Sequence, residues 1–258
     1  MDILIRKTDG ILTIEFNRPE RKNAITGAMY QTMADALIDG EQDAAVRAIL
    51  ITGKPEIFTA GNDLEDFLKN APAGGKPDAS RPVYQFMRAL SGSTKPVIAA
   101  VSGAAIGIGT TMLMHCDLVY VADNAKLSMP FVQLGLCPEF ASSLLFPAIA
   151  GYPRAAEKLL LGEAFMAQEA FQMGMVSKVL PLDELIPFAT RQAAKLVALP
   201  AASIRATKAL MKRPRAEQIE SAIAAEIELF AAMLQAPEAK EAFTAFFEKR
   251  KPDFSKFA

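Results

Sequence analysis

Two stretches in the first half of this chain follow one plan: a short apolar strand, a glycine turn, then helical sequence. One is VRAILITG continuing into IFTAGNDLEDF, and the other is KPVIAAVSG continuing into AAIGIGTTMLMHC. Strands this apolar are buried on both faces, which a parallel sheet covered by helices provides. The surrounding sequence agrees. ILIRKTDGILTIEF reads as two strands joined by the tight-turn pair Asp9-Gly10, and TGAMYQTMADALIDGEQD carries helical periodicity with Thr26 as its cap. DLVYVAD and AKLSMP return to strand character, and APAGGKPDASRP is a loop rich in Ala, Gly and Pro. The first half therefore repeats strand, strand, helix, and the fold class is α/β.

From YPRAAEKLLLGEAF onward the sequence is mostly helical, with Pro200, Pro214 and Pro237 near segment starts. We divide the chain into a core over residues 1–197 and a C-terminal helical region over 198–258. The apolar positions Ile219, Ile223, Ile227, Phe230, Phe243, Phe246 and Phe247 suit that region to docking or self-association. A net charge of −1 argues against nucleic acid as a partner. No long uncharged apolar run or secretory leader is evident, so neither a membrane span nor export is expected.

Few residues offer chemistry on their own. Cys116 and Cys137 match no zinc spacing and read as free thiols, so no metal is expected. His115, the only histidine, reads as packing near the end of a helix. Gly103–Gly109 lacks the order of a dinucleotide or triphosphate loop. The two glycine turns have two readings: tight packing, or backbone N–H groups converging on a developing oxyanion. Glu139, within FVQLGLCPEFASSLLF, also has two readings: an acid at a helix start, or a base in an apolar pocket. Glu157, Glu163 and Glu169 fit polar helix faces, and Asp63 and Glu65 suit a helix N-terminus.

The ordered segments NRPERKNAIT, FTAGNDLEDF, KPVIAAVSGAAIGIG, CDLVYVADNAKLSMPFVQLGL and LLLGEAFMAQEAFQMGMVSKVLP resemble the crotonase, or enoyl-CoA hydratase/isomerase, superfamily over essentially the whole chain. The resemblance implies a crotonase-like spiral of ββα repeats with a C-terminal helical trimerisation region, hence a homotrimer or hexamer. It implies acyl-CoA thioester substrates, with coenzyme A part of the substrate and no separate cofactor. It also implies an oxyanion hole of two backbone N–H groups, at Asn62 and Ile108.

Two departures bear on the reaction. Hydratases of the family carry glutamates at the positions of Thr111 and Phe131, and this chain has neither. AGNDL and PEFASS instead resemble the SGNDL-like and PEG-x-SS-like segments of the peroxisomal-type Δ3,Δ2-enoyl-CoA isomerases, in which the glutamate of the second segment is the catalytic base. That glutamate is Glu139 here, and Phe140 stands where the branch has glycine. The expected activity is the shift of a 3-enoyl-CoA double bond to the 2-position, as in fatty-acid β-oxidation. A hydratase or other crotonase-type reaction is the alternative, and a non-catalytic acyl-CoA-binding protein the second.

For coenzyme A binding the resemblance points to Arg21, Lys22, Ala24, Ala60, Gly61, Asp63, Leu64, Gly107, Phe131, Pro138 and Lys249. Arg18, Arg250 and Lys251 add positive charge nearby. The loop 71–82 and the Phe86–Leu90 segment are expected to border the acyl group. The C-terminal DFSKFA is not a peroxisomal address, and a cytoplasmic location is the simplest expectation.

Overall fold

The computed structural model describes residues 1–69, 78 and 80–257. It opens with a hairpin, β1 (Ile3–Thr8) and β2 (Ile11–Phe16), turning at Asp9 and Gly10. Both turn residues have positive φ, which matches the right-handed twist of the strands. Helix α1 (Gly27–Gln42) follows, capped by the Thr26 hydroxyl, which accepts from the Met29 N–H at 3.3 Å. Then come β3 (Ala48–Thr52), β4 (Ile57–Thr59), α2 (Leu64–Lys69) and α3 (Pro82–Gly92). A further round supplies β5 (Val97–Val101), β6 (Ala104–Ile106) and the single turn α4 (Ile108–Thr111). The next supplies β7 (Leu118–Ala122), β8 (Lys126–Ser128), α5 (Ser142–Ala150) and α6 (Tyr152–Leu161). After β9 (Phe165–Met166), α7 (Ala167–Gln172) and β10 (Lys178–Leu180) the chain is helical: α8 (Leu182–Ala198), α9 (Ala201–Lys212), α10 (Ala216–Met233) and α11 (Pro237–Phe247).

β1 and β2 share one sheet, and the pairs β3/β4, β5/β6 and β7/β8 each send their first strand to that sheet and their second to another. The larger sheet runs β1-β2-β3-β5-β7-β10, parallel from β2 onward, and the smaller runs β4-β6-β8-β9, parallel over β4, β6 and β8. The chain thus advances as a spiral of ββα units. All residues of β3 and β5 are buried, because the two faces of the larger sheet are both covered. Ile49, Ile51, Val97 and Ala99 face the main core, while Leu50, Ile98 and Ala100 face Leu185, Ala189 and Ala193 of α8.

The C-terminal helices share this core. Leu234, Ala239 and Phe243 belong to the main cluster, and Lys208 of α9 ion-pairs with Asp117 at 2.7 Å. Exposed apolar side chains remain on them, with Leu210 and Met211 each 67% accessible. Sequence periodicity blurred one element. AAIGIG reads as a turn entering a helix, but Ala104–Ile106 first forms β6, a strand too short and alanine-rich to announce itself.

Candidate active site

The glycine turns lie side by side because the strands feeding them do. Parallel pairing of β4 with β6 brings Thr59 beside Ala105, so both turns leave the same edge of the smaller sheet. Gly61 has φ +83°, and a Cβ there would lie 2.7 Å from the Ile106 carbonyl oxygen. Only glycine permits that approach. Beyond it, the Ile25 N–H donates to Gly61 O at 2.8 Å and the Asp63 N–H donates to Ile25 O at 2.9 Å. In such a parallel bridge the residue between, Asn62, turns its own N–H to the opposite side. Gly107, φ +58°, donates to Ser128 O, and Ile108 then begins α4. As the first helical residue, Ile108 has an N–H with no intrahelical acceptor.

Asn62 and Ile108 both line a cavity of about 980 Å³. Arg21, Lys22, Ala24, residues 60–64, Gly107 and Phe131 also line it. Phe230, Phe243 and Phe246 of the C-terminal helices complete an apolar face. A smaller cavity of about 510 Å³ shares Asn62 and adds Tyr30, Pro82 and Val83. Asn62 therefore stands at the boundary of the two, its side-chain oxygen accepting from the Tyr30 hydroxyl at 2.6 Å.

Glu139 and Thr111 line neither cavity; Thr111 lies on the same helical turn, α4, as the cavity residue Ile108. The Glu139 carboxylate is buried, and Oε1 accepts a short hydrogen bond from the Thr111 hydroxyl. Oε2 has no partner among the described residues. An unsatisfied buried oxygen costs about 1–3 kcal/mol and is uncommon outside functional sites. Burial, and secondarily the like charge of Glu226, push the Glu139 carboxyl up to about 8, against the opposing pull of Thr111. Tyr30 and Tyr84 face the same carboxylate; burial mainly, and its charge in part, raise their phenols.

The Glu139 side chain does not cap α5. The N–H groups of Ala141 and Ser143 go to the Glu226 carboxylate, and that of Ser142 goes to the Glu139 main-chain carbonyl at 3.1 Å. Between Glu139 and α5, Phe140 and Ala141 both adopt left-handed backbone, φ +58° and +55°. That conformation costs a non-glycine residue about 1–2 kcal/mol. Phe140 offsets its share by full burial, on the order of 1.5–3 kcal/mol for such a side chain, stacked on the His115 ring at 3.8 Å. His115 is buried and donates through Nε2 to the Phe140 carbonyl at 2.8 Å, with burial pressing its pKa to about 4.

Several expected contacts are redrawn. Pro138 and Lys249 are not among the residues lining either cavity, and Lys249 instead ends α11 with its N–H on Phe246 O. Lys251 lines the large cavity, whereas Arg250, also on its wall, is paired with Glu241 and Glu248. Arg18 is held by Asp63 at 2.8 Å and by Ala24 O, which makes it part of the scaffold. Asp63 caps α2 by accepting from the Asp66 N–H at 3.2 Å. Glu157 and Glu169 pair with Lys158 on the surface. Of the segments expected to border an acyl group, Pro82 lines the smaller cavity and Phe86 and Leu90 are core; residues 71–77 and 79 lie outside the described residues. Cys116 and Cys137 are free thiols raised by burial to about 12 and about 11.

Glu226 escaped the sequence reading. The signal available was an acid at Ile223 + 3 and Phe230 − 4, on the apolar face of α10.

Comparison with known proteins gives a consistent picture. The family model described as Enoyl-CoA hydratase/isomerase matches residues 6–256. The chain is 32% identical to crotonyl-CoA hydratase of Syntrophomonas wolfei, covering 98% of this chain and 97% of that protein. It is 35% identical to enoyl-CoA delta isomerase 2 of Rattus norvegicus over 85% of this chain and 56% of that protein. Among solved structures, an enoyl-CoA hydratase/isomerase from Pseudoalteromonas atlantica superposes with a TM-score of 0.93 at 36% identity, covering 99% of this chain and 100% of that one.

Proposed function

This chain belongs to the enoyl-CoA hydratase/isomerase family, and from that premise we propose that it is the isomerase that moves a 3-enoyl-CoA double bond to the 2-position in fatty-acid β-oxidation. The observation carrying this reading is Glu139: one buried carboxylate, with an unpartnered oxygen, beside the turn that ends at Ile108. Glu139 takes the C2 proton and charge moves through the thioester onto its oxygen. The N–H groups of Asn62 and Ile108 stabilise that enolate oxygen. The protonated Glu139 then returns the proton at C4, the electron pair of the enolate reforms the carbonyl, and the double bond is left between C2 and C3. The raised pKa makes the ionised carboxylate a stronger base and its acid form a proton source near neutral pH.

The nucleotide end of coenzyme A is assigned to the large cavity, with Arg21, Lys22 and Lys251 toward the phosphates. The acyl chain is assigned a course from Asn62 toward Tyr30 and the smaller cavity, and the reaction requires C2 to C4 to reach Glu139, which is buried against Thr111. Hydration needs a second acid. Thr111 and Phe131 occupy the positions where the family's hydratases carry glutamates, and the oxygens of the nearby Glu226 are engaged by Ala141 and Ser143. The exposed apolar side chains of α9 and α10 support assembly as a homotrimer or hexamer. No helix among the described residues is long and apolar enough to cross a membrane, and a cytoplasmic location is part of the proposal.

The test offers purified protein a 3-enoyl-CoA and a 2-enoyl-CoA. The isomerase reading expects turnover of the first, little hydration of the second, and a loss of at least about 10³-fold in Glu139→Gln, the upper range for a general base. Rapid hydration of the 2-enoyl thioester supports a hydratase, and binding without turnover supports a non-catalytic acyl-CoA-binding protein.

A further inference from the structure

We propose that Glu226 and His115 are positioning residues for Glu139, gripping from two sides a peptide unit one residue beyond it. That unit joins Phe140 to Ala141. Its carbonyl accepts from His115 Nε2, and its N–H donates to a carboxylate oxygen of Glu226. Both flanking residues are left-handed without being glycine, so the segment has ordinary conformations to relax into if either end is released. Relaxation would swing the adjoining Glu139 side chain away from Thr111.

Glu226 is more than a local helix cap. It sits 85 residues downstream of Ala141, is buried, and directs both oxygens at this loop: one to Ala141, the other to the N–H and hydroxyl of Ser143. None of these partners is a cation, so its charge is answered by oriented backbone N–H groups at the start of α5. That charge also bears on the base. Facing Glu139 are the Thr111 hydroxyl from α4, the phenols of Tyr30 on α1 and Tyr84 on α3, the Cys137 thiol of its own loop, and Glu226 on α10, with neutral His115 beyond Phe140. The one like charge among them is Glu226, which holds the proton on Glu139 to higher pH.

The inference rests on Glu139 being the base, and Glu226→Gln tests it separately. The amide keeps the volume but removes the charge and one acceptor. Turnover of 3-enoyl-CoA should fall by about tenfold or more, the worth of one lost hydrogen bond at a reacting group. KM should change little, and the rising limb of the pH–rate profile should move to lower pH. A lower melting temperature with unchanged kcat and an unmoved limb would mean a purely structural cap and overturn the proposal. Should Glu226→Gln be too unstable to assay, Ser143→Ala removes a donor while leaving the carboxylate. A fall in kcat at constant KM then supports the clamp, and unchanged kcat overturns it. Glu139→Gln, assayed alongside, separates the two claims. Full activity in that variant sinks the base assignment, whereas an inactive Glu139→Gln beside a fully active Glu226→Gln sinks the clamp alone.

Discussion

The two halves of the site solve one backbone problem in opposite ways. The turns carrying Asn62 and Ile108 need positive φ and use glycine, at Gly61 and Gly107. The loop carrying Glu139 also needs positive φ, twice, and uses phenylalanine and alanine. Space accounts for the difference at Gly61. A Cβ there would meet a carbonyl oxygen at 2.7 Å, and no nearby side chain can remove that collision. At Phe140 the backbone angle is the only obstacle, and a stacked histidine, a buried ring and two hydrogen bonds overcome it. The turn at Gly61 is therefore fixed by sterics, and the Glu139 loop by contacts that substitution can tune.

Gly61→Ala should have the largest effect of the changes that break this contrast. Displacing the Asn62 N–H from its partner turn should lower isomerase turnover by roughly 10²–10³, the worth of one oxyanion donor. Steady-state kinetics on folded protein checks it. Next is the electrostatic cost of the base. The Glu139 carboxyl lies near 8 in the folded protein against 4.5 unfolded, so its stabilising contribution is complete below about pH 4.5 and lost as pH rises through about 8. Glu139→Gln removes that dependence. Its stability advantage over the native chain should grow by about a few kcal/mol between those limits, read by denaturant unfolding at several pH values. Over the same range native kcat/KM should rise as the base ionises. The smallest effect sharpens the contrast: Ala141→Gly should stabilise the protein by about 1 kcal/mol, since glycine accepts the left-handed angle without strain, and thermal unfolding should register a shift of a few degrees.

Local signals made the frame legible. Asp9-Gly10 dictates its hairpin, Thr26 its helix start, and the apolar runs at 48–52 and 97–101 their buried strands. The two glycine turns could be read too, because strand, glycine and helix follow one another within a dozen residues. Glu139 stood out as an acid amid apolar sequence, yet its local pattern also suited a helix start; the carboxylate that caps α5 belongs instead to the distant Glu226. His115 read correctly as a packing residue, but what it packs on, the Phe140 ring, lies 25 positions away. Contacts of that span leave no periodicity in the chain. The same limit applies to Lys249, which does not line the cavity of its own chain: a run of three basic residues does not reveal which of them points into a cavity.

The long reach from Ala141 to Glu226 has a consequence for synthesis. A ribosome delivers Asn62 and Ile108 long before the Glu226 carboxylate that caps the 140–143 loop. The aromatic wall of the large cavity, Phe230, Phe243 and Phe246, arrives with the same final helices, so cavity and loop are both completed by the last stretch of polypeptide.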